Sequence, residues 1–168
     1  ESKNEGPMNW QAGVYYFNED ADGGSDNFNS STSARTSHLV SHQKNTAWAA
    51  FASVNYALSD AFIVRGGLRY TNDKKHFNTV EAINVVQTGP ASIDTSENKL
   101  NWDLSGTYKL NQNVNVYARA ATGFRAPSIA AASASVPITV ADAETITSVE
   151  AGVKADFFER RARGSLSI

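Results

Sequence analysis

Thr46-Ala47-Trp48-Ala49-Ala50-Phe51-Ala52-Ser53-Val54-Asn55-Tyr56-Ala57-Leu58, a polar break at Ser59-Asp60, then Phe62-Ile63-Val64-Arg65-Gly66-Gly67-Leu68-Arg69-Tyr70-Thr71: in this stretch large apolar residues recur at every second position on both sides of the break. Period two is the signature of a strand with two unlike faces. The parity break at Ser59-Asp60 predicts a two-residue reversal and so an antiparallel hairpin. Arg65 and Arg69 fall together on the face opposite Val64, Leu68 and Tyr70.

Working outward, the same alternation predicts seven strands, at Met8–Asn18, Thr46–Leu58, Phe62–Thr71, Lys99–Leu110, Val114–Thr122, Thr147–Phe157 and Arg161–Ile168. No amphipathic helix competes with them. The best local helical turn is the Ala-rich Ile129–Ser135, bounded by Pro127 and Pro137. Connection lengths alternate. Ser59-Asp60, Asn111-Gln112 and Phe158-Glu159-Arg160 are of hairpin length. The other three connections, Glu19–Asn45, Asn72–Asn98 and Ala126–Ile146, hold about 20 to 27 residues rich in Gly, Ser, Asn, Asp and Thr, far beyond usual loops. Tight turns at one end and long loops at the other describe an outer-membrane β-barrel wall.

Charge placement points the same way. In the fourth strand Lys99, Asp103 and Lys109 oppose Leu100, Trp102, Leu104 and Tyr108; in the sixth Glu150, Lys154 and Asp156 oppose Val149, Val153 and Phe157. In the last, Arg161 and Arg163 oppose Leu166 and Ile168. A charge at mid-bilayer costs about 2–4 kcal/mol for Lys or Arg, so a lipid-facing surface must be free of charge. Trp48, Val54, Val64, Leu68, Leu104, Val116 and Val153 are therefore expected on a convex, lipid-facing side. Arg65, Arg69, Asp103, Arg119 and Glu150 are expected on the concave side. On the charge-free face Tyr56, Phe62, Tyr108 and Phe157 lie beside the short turns, and Trp48, Tyr70 and Trp102 toward the long loops. Eight residues separate Trp48 from Tyr56, roughly 26 Å along a strand, or about 20 Å after tilting, close to a barrel's apolar band. These aromatics are expected as two interfacial girdles. A soluble sandwich is the competing architecture, but it has no need of alternating loop lengths.

Composition narrows the function classes. Net charge is −2, which leaves no electrostatic footprint for nucleic acid. There is no cysteine, hence no disulfide and no thiolate metal site. No run approaches the roughly 18 apolar residues of a membrane helix. The mean hydropathy of −0.37 suits a barrel, because only alternate residues meet lipid. The polar opening Glu1-Ser2-Lys3-Asn4-Glu5 carries no signal peptide, so either one has been removed or the chain starts inside a longer protein.

Three segments resemble the TonB-dependent receptor family. They are Gly67-Leu68-Arg69-Tyr70-Thr71-Asn72-Asp73-Lys74-Lys75; Val116-Tyr117-Ala118-Arg119-Ala120-Ala121-Thr122-Gly123-Phe124-Arg125-Ala126-Pro127-Ser128; and Ala143-Glu144-Thr145 through Val149-Glu150-Ala151-Gly152-Val153-Lys154 to Phe157-Phe158-Glu159-Arg160-Arg161. Gly123-Phe124-Arg125-Ala126-Pro127 is the most specific block. Ala143 departs from the family, which commonly has proline there. The resemblance implies an all-β, 22-stranded antiparallel barrel filled by an N-terminal plug, with residues 1–168 a partial barrel lacking the plug and the closing strands. It also implies active uptake of a scarce ligand, an iron–siderophore complex foremost, with cobalamin or an oligosaccharide as alternatives. The partners implied are outer-membrane lipid and the TonB energy-coupling complex, reached through the missing plug region. A passive porin-like channel is the alternative function.

No Gly-x-Ser-x-Gly, His-Glu-x-x-His or phosphate-binding glycine loop is present, so no catalytic residue and no cofactor is expected. An enzyme embedded in a barrel would need a nucleophile–base pair, and the sequence offers none. His38 and His42, with His76, have spacing that suits a helix-borne metal site, but they fall in or near predicted loops, and solvated histidines are the plainer reading. Arg65, Arg69, Arg119, Arg125 and Lys154 form a candidate cationic lumen surface for an anionic ligand or a plug. The plainer reading pairs them with Asp103, Glu150 and Asp156. Ligand specificity is expected in the long loops.

Overall fold

The computed structural model describes residues 6–84, 92–130, 138–159 and 161–168. Seven strands form one antiparallel meander: β1 (Met8–Phe28), β2 (Arg35–Ala57), β3 (Phe62–Ile83), β4 (Ser92–Lys109), β5 (Val114–Arg125), β8 (Glu144–Phe157) and β9 (Ala162–Ser167). Between β5 and β8, β6 (Ser128–Ala130) and β7 (Thr139–Ala141) pair as a small hairpin. The seven strands curl into a half-barrel, and the described residues contain no helix. Ile129 and Ala130, which begin the Ala-rich stretch read as a helical turn, belong to strand β6. Its remainder lies outside the described residues.

Registers decide the faces. Tyr56 pairs with Val64, Leu68 with Trp102, Leu104 with Ala120, and Val116 with Val153. Because side chains alternate, these pairings put Trp48, Val54, Val64, Leu68, Leu104, Val116 and Val153 on one face. Arg65, Arg69, Asp103, Arg119 and Glu150 share the other. Burial runs opposite to that of a water-soluble sheet. Along β4 the half-buried residues include Glu97, Lys99, Asn101 and Asp103, while Leu100, Trp102 and Leu104 are exposed. Val14 is 86% and Val149 78% exposed. A sheet that shelters its charges and bares its apolar side chains is matched to lipid on that side.

Two expectations need correction at the strand ends. The first two short reversals each hold three residues rather than two. Ala57 pairs with Ile63 and Lys109 with Asn115, which centres the turns on Asp60 and Gln112. Ser59 closes the first, its carbonyl accepting from Phe62 N at 3.3 Å and its Oγ from the same N–H at 3.1 Å. Asn111 closes the second, its Oδ1 accepting from the N–H groups of Asn113 (2.8 Å) and Val114 (2.9 Å). Side chains that bond the backbone two or three residues on favour these wider turns. The third reversal uses left-handed backbone at Phe158 (φ 52) and Glu159 (φ 57).

The long connections are mostly not loops. β1, β2 and β3 hold 21, 23 and 22 residues, about twice the roughly 9–11 that cross a bilayer. Most of Glu19–Asn45 is therefore a ribbon turning only at Asn29–Ala34, where Asn29 Oδ1 accepts from Ser31 N (2.9 Å) and Thr32 N (3.0 Å). Asn72–Asn98 likewise continues as β3 and β4 on either side. Cross-strand polar pairs hold these extensions, such as Asn45 Nδ2 to Glu19 Oε2 at 2.6 Å and Asn27 Nδ2 to Ser37 Oγ at 2.7 Å. Their Gly, Asp and Asn content is poor for strands, but a ladder already begun supplies the backbone with partners. On the concave face of the extensions, Leu39, Phe77 and Ile138 form a buried cluster with Ile93 and Ile129 against it. It fastens β6–β7 to β2, β3 and β4, aided by the Lys75 ammonium donating to the Pro127 carbonyl.

Candidate functional site

The charged face carries two adjoining grooves. The first, about 340 Å³, is lined by Gln11, Arg65, Arg69, Asn101, Asp103 and Arg119 among others. Arg65 Nε lies 3.7 Å from Asp103 Oδ2. The Arg69 guanidinium stands 5.6 Å from the centre of the Tyr15 ring, and its Nε donates to Thr71 Oγ1 at 3.2 Å. Among the described residues neither Arg69 nor Arg119 has a carboxylate within ion-pair distance. The second groove, of similar size, brings Arg119 together with Tyr117, Glu150 and Lys154. There the Tyr117 hydroxyl donates to Glu150, and Lys154 Nζ lies 4.9 Å from the ring centre.

The plainer pairing of the cations is thus realised only in part. Asp103 meets Arg65, but Asp156 is held by Arg163 through Nε–Oδ1 (2.6 Å) and Nη2–Oδ2 (3.1 Å) contacts. Glu150 faces Arg119 in register while bonding Tyr117. Arg125 stays apart from both grooves. It ends β5 and reaches Glu144 at 3.7 Å, with both side chains 72% exposed, a pair worth little. Tyr15 and Tyr117 are the residues that sequence reasoning missed. Both share the parity of the charges, and that parity was the available signal.

In the Gly123-Phe124-Arg125-Ala126-Pro127 block, β5 pairs with β8 as far as Arg125, and the chain leaves the ladder before Pro127. A Cβ on Gly123 would lie 2.8 Å from the Ile146 methyl, so this crossing admits no larger residue without movement. On the apolar face Trp48 and Tyr70 are 5.4 Å apart between ring centres, and Phe62 and Tyr108 6.3 Å. Tyr56, Trp102 and Phe157 share that face.

The three histidines lie on strands, each opposite an aspartate in register. Nδ1 of His38 is 2.6 Å from Asp26, that of His42 2.7 Å from Asp22, and that of His76 2.7 Å from Asp94. They do not converge. Among the described residues no group of three or more potential ligands is disposed to hold a metal ion.

Several solved structures similar to this one are uptake, import or siderophore receptors. The ferric yersiniabactin uptake receptor FyuA from Yersinia pestis superposes with a TM-score of 0.78 over 92% of this chain at 18% identity. The closed form of the ferric-catecholate import receptor Fiu from E. coli gives 0.75 over 95% at 15% identity. The siderophore receptor PiuA from Acinetobacter baumannii gives 0.72 over 98% at 14% identity. The chain spans 24%, 28% and 29% of those chains, respectively. No curated protein sequence is recognisably similar to it. The family described as TonB dependent receptor-like, beta-barrel matches residues 2–168, and the chain belongs to that family.

Proposed function

We propose that the chain is a wall segment of an outer-membrane receptor that imports an anionic iron–siderophore complex, driven by TonB through a plug carried elsewhere in the full protein. The observation that carries this reading is the concave cationic groove, in which, among the described residues, Arg69 and Arg119 have no carboxylate within ion-pair distance. Family membership supports a transport role over an enzymatic one, and the siderophore receptors among the structural neighbours favour that ligand class over cobalamin or an oligosaccharide. The opposite face, with its Trp48–Tyr70 and Phe62–Tyr108 pairs, suits an apolar band bounded by two aromatic girdles.

Uptake of iron-55 siderophores by cells whose only siderophore receptor is the full-length protein tests the proposal. Uptake should stop when the proton gradient is collapsed; uptake that continues would identify a passive channel. Replacing Arg69 and Arg119 together by Gln removes two charge-assisted contacts and should weaken ligand binding at least about tenfold. Unchanged binding would move the ligand site out of this groove.

A further inference from the structure

Beyond the Trp48–Tyr70 pair, β1 and β2 continue as a ribbon with little apolar packing of its own. The β1 half reads Glu19-Asp20-Ala21-Asp22-Gly23-Gly24-Ser25-Asp26, and all of these residues are exposed. Between Asp20 opposite Lys44 and Asp26 opposite His38, no rung places two apolar side chains across from each other. Main-chain bonds and polar side chains must therefore hold the two strands together.

His42 sits at the centre of this segment with a carboxylate on each ring nitrogen. Its Nε2 is 2.9 Å from Asp20 Oδ1, and its Nδ1 is 2.7 Å from Asp22 Oδ1. A neutral imidazole has one N–H and one bare lone pair, and a lone pair facing a carboxylate oxygen at this distance is repulsive. Both contacts are favourable only for the imidazolium. Other charged groups near it are few. Lys44 is on β2 itself, and on β3 the opposite residue is Asn78, with His76 diagonal to it and already held by Asp94 of β4.

We infer that His42, bridging Asp20 and Asp22 as an imidazolium, is a proton-operated clasp that fastens β1 to β2 in acid and lets go at higher pH. Its pKa lies above the ordinary 6.5, raised by the hydrogen bond to Asp22 and by the charges of Asp20 and Asp22, against desolvation and Lys44. The sign follows from linkage. In an unfastened ribbon the imidazole titrates near 6.5, so the clasp contributes fully below that value and is lost as pH climbs through the raised one. Once the proton is gone, Asp20 and Asp22 repel each other with only Lys44 to offset them. The inference rests on the proposed membrane orientation only in placing this ribbon in water.

Amide hydrogen exchange of the full-length receptor in outer-membrane vesicles, corrected for the intrinsic pH dependence of exchange, tests the clasp. Protection of peptides spanning 19–28 and 35–45 should fall at least about threefold between about pH 5.5 and 8.5, while 46–57, within the proposed lipid band, stays constant. His42→Gln should leave the ribbon poorly protected at both pH values. Asp22→Asn should move the transition to lower pH. A flat wild-type profile, or an unshifted transition in His42→Gln, would overturn the clasp. Loss of protection in 46–57 at either pH would instead strike at the barrel assignment.

Discussion

Tyr117 shows how close the packing on the concave face is. Its ring lies over Gly152, the residue opposite it in register, with Glu150 at its hydroxyl and Lys154 against its face. A Cβ on Gly152 would come 2.8 Å from that ring and 2.7 Å from the carbonyl oxygen of Leu166. A ring on a flexible side chain can move aside, but a carbonyl in a strand ladder cannot do so cheaply. Gly152→Ala should therefore cost about 1–3 kcal/mol in denaturant unfolding of the full receptor. Gly66, which has nothing within 4 Å of a built Cβ, is the control, and Gly66→Ala should stay within about 0.5 kcal/mol. Equal effects would mean that the Tyr117 packing is not as described. At this scale the sequence was only partly legible. Parity assigned Arg65, Asp103, Arg119 and Glu150 to one face, because alternation is a property of the backbone. It did not say that Glu150 would engage a tyrosine or that Asp156 would take Arg163. Those choices depend on register between strands, which the residues along one strand do not encode.

Strands in this chain differ from those of soluble sheets in which face tolerates charge. Leu104 is 54% exposed near the middle of β4, between Trp102 and Tyr108. Leu104→Arg should destabilise the full barrel by about 2–4 kcal/mol in reversible folding into bilayers. Ser105→Asp, one position along and opposite Arg119, should cost less than about 1 kcal/mol. A reversed order of the two would exchange the faces. The membrane-crossing parts of the strands were readable because the alternation of large apolar residues is strong from Trp48 to Tyr70. Their extensions were not. Asp20–Asp26 and Ser92–Asn98 carry turn-like compositions, and their strand state comes from partners across the ladder, such as His42 for Asp22 and His76 for Asp94. The three-residue turns were missed for a similar reason, since Ala61 and Asn113 give no sign of which neighbour they will join.

Seven paired strands leave β1 and β9 each with one edge that has no partner among the described residues. Within hydrocarbon every unsatisfied backbone group costs several kcal/mol, so a crossing edge that exposes about five donor–acceptor pairs costs tens of kcal/mol. Residues 1–168, exported alone behind a signal peptide, should accordingly form no heat-modifiable, protease-resistant band in outer membranes. Such a band would mean that the sheet can close on itself. Even a closed wall of this kind keeps Val14, Leu104 and Val149 bare when folded. Ordering such a chain in water removes little oil-like surface from solvent, and the usual large heat-capacity change of folding has little to arise from there. That change belongs to the step into lipid. On the proposed membrane assignment, the chain in transit has no aqueous native state to wait in, and it should depend on escorts that cover the apolar face without pairing its edges.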